Sequence, residues 1–532
     1  MSYGPPHSPF TQSALTADRV NKKKRRTRVL VVLLALVLCM GSGIIWAAAG
    51  SDDEQQGKNP TAARQAPDDI RDTVEKLPRT PEGRLAVDYN EDEFEKKFKK
   101  ESVRAPGAWA TDKNFVRGIG STLKSFKFGT FEEDWSKELT GPICDTTRHV
   151  TADGRTAVLL QERVGRGVKD DEDSKGKKPK DNKGKDNKGK SKKGKSKKGD
   201  GKKDKKDKGK GTEAEDKYSC TQLAFFDLNT GEKLWQVKLP DAKGAYAPNT
   251  NVTMTRGTVA VAWGYGSVAY DMKRGRELWS TSASTECRDL GFAGGRDLLA
   301  LAQCGDASEP RFKVQKVRPR TGEAEWTYKV TRGVGRVYLV SSDPVVLAVS
   351  AGDITVTDLI TLDDQGEYQA TIDMPEDRFL DNCHRQLFGN VETCDAIVVG
   401  RDQLFVATDE GRLADNWIVS YDLSTGKTVR KFDSKPDLPI HPLRMSGGKL
   451  LAFRPSSDSF APAAVLSLDP RTGKQTPYLF FSMPDRLKME DPQETEIIIE
   501  DGRIFFAPRE LFAENGGPWE GMAFGALGIE GI

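Results

Sequence analysis

Asp227-Leu-Asn-Thr-Gly-Glu-Lys-Leu-Trp235 follows the apolar run 223–226, and copies of it recur downstream. Asp271-Met-Lys-Arg-Gly-Arg-Glu-Leu-Trp279 is the clearest copy, and Arg318-Pro-Arg-Thr-Gly-Glu-Ala-Glu-Trp326 keeps the Thr-Gly and the Trp. Asp422-Leu-Ser-Thr-Gly426 and Asp469-Pro-Arg-Thr-Gly473 keep the turn and lose the Trp. The turn glycines Gly231, Gly275, Gly322, Gly366, Gly426 and Gly473 lie 44, 47, 44, 60 and 47 residues apart. Each copy joins two short strands. The Asp carboxylate can bond backbone two residues on and start the turn, and Gly supplies the positive φ that ends it with a bulge. The Trp four residues later can lie flat between neighbouring units and bury a large apolar area. A period of about 40–50 residues built from short strands defines an all-β fold, a β-propeller.

The pattern resembles the repeat of the pyrroloquinoline quinone (PQQ)-like propeller family, apolar-x-Ala-x-Asp-x-x-Thr-Gly-x-x-x-Trp, over roughly residues 111–530. The resemblance implies a ring of such repeats. Asn114-to-Gly120 and Leu123-to-Phe128 read as its first strands, with Trp135 in the motif position although Gly129 lacks the preceding Thr. Later blades are expected to open at the apolar runs 258–262, 297–301, 345–349, 403–407, 449–453 and 503–507. Counting both partial ends gives eight blades. Seven is the alternative, if the first and last segments complete one blade. Either way the ends must meet, because an open ring would leave bare strand edges.

The 532-residue chain carries a formal net charge of +3, unevenly spread. Residues 1–28 form a basic tail ending in Lys22-Lys-Lys-Arg-Arg26 and Arg28. Residues 29–49 carry no charge and are long enough to span a bilayer as one helix. The basic cluster before them predicts a cytoplasmic N-terminus and an extracytoplasmic remainder. Residues 50–104 are acidic and polar and read as a stalk, with a short charged helix within 92–100. The propeller is assigned to 105–532. Residues 169–217 interrupt one blade with 21 Lys and 12 acids and without one Val, Ile, Leu, Met or aromatic residue. Nothing there offsets the entropy of ordering, so a disordered surface insertion is expected, one that could contact an anionic wall polymer or lipid headgroups. An extracytoplasmic position argues against nucleic acid as the partner of these lysines.

Cys39 falls in the predicted membrane span, which leaves six cysteines outside it. Their even number in an oxidising compartment suggests disulfides. Fifteen connectivities are possible for six cysteines, and the expected one is sequential: Cys144–Cys220, Cys287–Cys304 and Cys383–Cys394. No pair has metal-site spacing, and His149, His384 and His441 are scattered. PQQ-dependent dehydrogenases, which share the repeat, need a disulfide of adjacent cysteines beneath the quinone, a Ca²⁺ site and an Asp base. This sequence has no Cys-Cys dipeptide. The expectation is therefore no catalytic residue, no metal and no cofactor, and a membrane-anchored interaction or sensing module that binds envelope proteins in bacteria. A quinoprotein dehydrogenase with an altered cofactor site is the alternative.

The insertion supplies a test of the first disulfide. Trypsin should cut first within 169–217, since a lysine-rich surface loop is an open target. On denaturing gels the two fragments should migrate together without reductant and separate with it. Separation without reductant would rule out the Cys144–Cys220 pairing.

Overall fold

In the computed structural model the described residues are 65–532, apart from 79, 92–93, 99–101, 164–217, 241–249, 264–265, 282–285, 307, 353–354, 376–377, 384–390, 410–415, 434–437, 457–460, 484–491, 493, 514–521 and 532. The basic tail 1–28, the membrane span 29–49, stalk residues 50–64 and the lysine-rich insertion 169–217 lie outside them. No described helix is long and apolar enough to cross a membrane.

Met1–Glu162 and Cys220–Ile532 form one compact unit, and its described residues fold as an eight-bladed β-propeller. Each blade is an antiparallel sheet, four strands wide along its main path. Numbered along the chain, blades I to VII span 107–138, 143–238, 250–281, 287–329, 336–373, 379–433 and 441–481. Blade VIII takes three strands from 495–531 and its outer strand, Gly83–Glu91, from the other end of the chain. Gly83 pairs with Gly531, and Glu91 with Ala523. The count of eight holds, and the chain ends do meet in one blade. The propeller thus takes in a strand from within 50–104, the stretch assigned to the stalk. Thr495–Glu500, Arg503–Pro508 and Ala523–Gly531 would otherwise leave a three-stranded blade with an open edge. The charged helix expected near 92–100 is present as Phe94–Phe98.

The apolar runs expected to open blades are instead their second strands. Thr258–Trp263 and Val345–Ser350 are buried at every position, because a second strand is covered on both faces by neighbouring blades. The innermost strands line the channel and carry a mixed pattern, as in Cys287–Ala293 and His441–Ser446. Their apolar runs are short, so periodicity did not show them.

The repeat turn forms as its residue types require. The Asp227 carboxylate accepts the Asn229 amide at 2.8 Å, and the Gly231 amide donates to the Asp227 carbonyl at 2.8 Å, with φ +71° at Gly231. The Trp that follows does not stay within its own blade. A Cβ placed on Gly275 would lie 2.6 Å from the ring of Trp235, one on Gly322 2.8 Å from Trp279, and one on Gly366 2.5 Å from Trp326. Each indole is therefore seated on the turn glycine of the next blade. Its N–H caps that same turn, Trp235 to the Met272 carbonyl at 2.8 Å, Trp279 to Pro319 at 2.9 Å and Trp326 to Asp364 at 3.1 Å. Trp135 sits on Gly231 in the same way, without a hydrogen bond from its buried N–H. Where the motif loses its Trp, Ala370 lies beneath Gly426 and Arg430 beneath Gly473. Arg430 keeps the capping role, donating to the carbonyls of Pro470 at 3.2 Å and Arg471 at 2.9 Å.

Gly275 and Gly502 both have positive φ, yet a Cβ on Gly502 would meet nothing within 4 Å. Gly502→Ala should therefore cost only the left-handed backbone strain, about 1–2 kcal/mol. Gly275→Ala should add overpacking against Trp235, about 1–3 kcal/mol more. Urea denaturation of the two variants reads the difference directly, and equal midpoints would contradict the interlock.

Candidate functional site

The three expected disulfides are present, and one of them shapes the channel. The innermost strand of blade VI is split: Phe379–Leu380 pairs with Thr408 and Ala407, and Ile397–Val399 with Val406 to Leu404. Residues 381–396 are inserted between these halves. Of its described residues, Asn382, Glu392, Thr393, Asp395 and Ala396 line the channel. Cys383–Cys394 closes its base with the Cα atoms 4.0 Å apart, and Thr393 Oγ1 donates to the Cys383 carbonyl at 2.6 Å. Cys144–Cys220 ties strands of blade II across the root of the insertion 169–217, and Cys287–Cys304 staples two paired strands of blade IV.

The described part of the insert plugs the channel by contacts to five other blades. The Val391 carbonyl accepts the Leu339 amide of blade V at 2.8 Å. Its side chain packs on Gly291 of blade IV, where a Cβ would lie 2.7 Å from Val391 Cγ2. Glu392 meets His149 Nε2 of blade II at 2.9 Å and Thr253 Oγ1 of blade III at 2.9 Å, with Arg148 at 3.5 Å. Asp395 pairs with Arg509 of blade VIII. Burial alone would raise the Glu392 carboxyl, but the His149 and Arg148 charges and the hydrogen bonds from His149 and Thr253 outweigh it and hold it at about 2.

A second segment crosses the axis at the turns between first and second strands. The Arg71 amide bonds the Val150 carbonyl of blade II at 2.8 Å, and Arg296 of blade IV pairs with Asp72 at 2.7 Å. Arg71 pairs with Glu500 of blade VIII at 2.7 Å. Glu75 then locks this strap into blades VII and VIII. Its carboxylate accepts Arg444, the Tyr478 hydroxyl at 2.7 Å and the amides of Asp501 and Gly502 at 3.1 and 3.0 Å. Burial, and then the bond to Glu75, push the Tyr478 hydroxyl up. Nothing in 65–82 reads as structural from sequence, because the segment makes its order through partners some 80–430 positions away.

Arg117 fastens blade I to blade VIII. It is 1% exposed and donates to the carbonyls of Gly525, Ala105, Gly107 and Pro508. Burial lowers it to about 10, still charged at neutral pH. The signal was an arginine within Asn114–Ile119, a strand buried at every position.

Plug, strap and blades I, II, VI, VII and VIII enclose an axial cavity of about 1060 Å³. Ile70 to Thr73 of the strap line one end. Exposed Arg104, Glu494 and Glu510 line the cavity near the opposite ends of the strands. Asp145 lines it from blade II, 8% exposed. Its Oδ1 accepts the Thr146 amide at 2.9 Å. Oδ2 has no hydrogen bond of proper geometry, although the Val252 amide lies near enough to favour the charge. Burial raises this carboxyl to about 7 against the smaller pull of Thr146 and Arg104.

The repeat glycines and tryptophans named from the sequence all sit at blade junctions, away from the axis. The groups that line the channel are other residues, joined only by the ring. Fold and site together define a closed propeller with a plugged channel, built on a repeated turn. Residues 221–476 match the family model PQQ_2, described as outer membrane protein assembly factor BamB. Across that span the chain is similar to the PQQ-like repeat propellers. Among curated proteins none matches the chain. Among solved structures, BamB from Moraxella catarrhalis is 10% identical, covering 84% of this chain and 100% of its own at a TM-score of 0.39. A europium-containing methanol dehydrogenase is 11% identical, covering 86% and 95% at 0.43. The quinohemoprotein alcohol dehydrogenase ADHIIG from Pseudomonas putida HK5 is 10% identical, covering 84% and 76% at 0.43. Likeness at this level carries no argument about function.

The raised Asp145 carboxyl predicts a pH dependence. The native state holds this proton more tightly than the unfolded chain, whose carboxyl titrates near about 4. The stability from this group is full below that value and is lost as pH rises to about 7. Asp145→Asn should match wild type in urea at pH 4 and exceed it at pH 8 by up to about 4 kcal/mol. A difference independent of pH would show that the carboxyl is not shifted upward.

Proposed function

We propose that the protein is a non-catalytic scaffold of the bacterial cell envelope, anchored by residues 29–49 with the propeller outside the membrane. The observation that carries this reading is the use of the channel charges. Glu392, Asp395 and Glu500 are spent on cations of other blades or of the strap, so they act as struts across the ring. A ring braced in this way is a rigid platform, and binding on such scaffolds falls to the loops at its faces. The description of the matched family as an assembly factor supports a protein partner. The basic cluster ahead of residue 29 supports the orientation.

The donor set does not fit a quinone cofactor. The axial disulfide, Cys383–Cys394, joins cysteines 11 positions apart and ties together the segment that carries Val391 and Glu392 to other blades. Trp109, which lines the cavity, is 1% exposed and has its N–H committed to the Thr147 carbonyl at 2.9 Å. Neither offers the open face that a sandwiched ring system needs.

Mild crosslinking of intact membranes followed by capture of the full-length protein should enrich one or a few envelope proteins. Oxidation of an alcohol or sugar by the purified protein with a dye acceptor, after addition of PQQ and Ca²⁺, would overturn the reading.

A further inference from the structure

The axial cavity is unevenly charged. Its wall carries eight carboxylates against five guanidinium groups and two histidines. Glu392, Asp395 and Glu500 face cations of their own. Asp145 and Glu496 do not. Asp145 leaves Oδ2 unbonded at 8% exposure. The Glu496 carboxylate makes neither a hydrogen bond nor an ion pair among the described residues, and Arg509 and Arg117 act on it only at longer range. Asp145 belongs to blade II and Glu496 to blade VIII, with blade I between them. The plug anchored on blade VI lines the cavity as well. One part of the wall is therefore saturated by its own ion pairs, and another presents the buried carboxyl of Asp145 and the half-buried carboxylate of Glu496, neither with a cation at ion-pair distance. A buried acid without a partner is costly, and what relieves it is a cation with N–H donors. Arg104, exposed at the rim, offsets only part of that negative field.

We propose that the axial cavity is a binding site for a small organic cation, a molecule bearing primary ammonium or guanidinium groups, with Asp145 and Glu496 as its anionic partners. Asp145 offers an oxygen that accepts no hydrogen bond of proper geometry, and Glu496 offers a half-buried carboxylate on the other side of blade I. About 1060 Å³ admits a molecule of some tens of atoms. A monovalent inorganic ion would not fill it. The site makes no use of the faces assigned to a protein partner, so the scaffold reading and this one stand or fall separately.

The test is titration calorimetry on purified full-length protein with agmatine, which carries one guanidinium and one ammonium group, and with citrate as an anionic probe. Saturable agmatine binding is expected, with citrate silent. Asp145→Asn and Glu496→Gln should each weaken agmatine binding at least tenfold. Glu323→Gln, an exposed acid far from the axis in sequence and paired with Arg318, should leave it unchanged. Both cavity variants are near-isosteric, and a retained thermal transition shows that they fold. If Asp145→Asn fails to fold, Glu496→Gln decides. Agmatine binding that survives Glu496→Gln, no saturable binding at all, or citrate binding lost in the same variants would overturn the proposal.

Discussion

An indole laid on the left-handed glycine of the next blade is the contact from which the ring is assembled. It depends on a hydrogen atom where any other residue has a Cβ. Trp235 on Gly275, Trp279 on Gly322 and Trp326 on Gly366 repeat it through blades II to V, and each indole N–H also caps the turn it covers. The contact fixes both the distance and the rotation between blades, because stacking and hydrogen bond must be satisfied by one rigid side chain. Past blade V the device changes. Ala370 leaves the position small, and Arg430 restores the capping with a guanidinium in place of an indole. The ring tolerates this because the turn, rather than the Trp, supplies the geometry, and the carbonyls beside it accept from either donor.

Closure has to be secured by other means, since the first and last blades are distant in the chain. Gly83–Glu91 supplies the missing outer strand, and Arg117 binds four carbonyls across the junction of blades I and VIII. A guanidinium suits this place because its donors form a planar fork and it stays charged when buried. The strap and plug use the same logic with the sign reversed. Glu75 and Glu392 are carboxylates whose desolvation is offset by several donors from different blades. Such pairs add little net stability, but removing one partner leaves a buried charge, which disfavours any other arrangement of the ring. The channel is thereby held in one configuration.

The repeat, the turn with its Asp and Gly and the all-β class were legible in the sequence. These are local or periodic, so composition and spacing are enough to read them. Eight blades and sequential cysteine pairs were its expectation, with seven blades and other pairings open, and the fold selects them by closing the ring and placing each pair within a single blade. The reading placed the apolar runs at blade openings, whereas they are second strands. Burial on both faces produces that signal, and channel-facing strands such as His441–Ser446 dilute theirs with polar residues. Which segment closes the ring and which charges meet on the axis depend on blades that only the closed fold brings together. Glu75 with Arg444, Glu392 with His149 and Asp395 with Arg509 are contacts between residues more than a hundred positions apart. A charged side chain looks the same in sequence whether it is solvated or buried, and its partner is chosen by the blade that the ring brings opposite it.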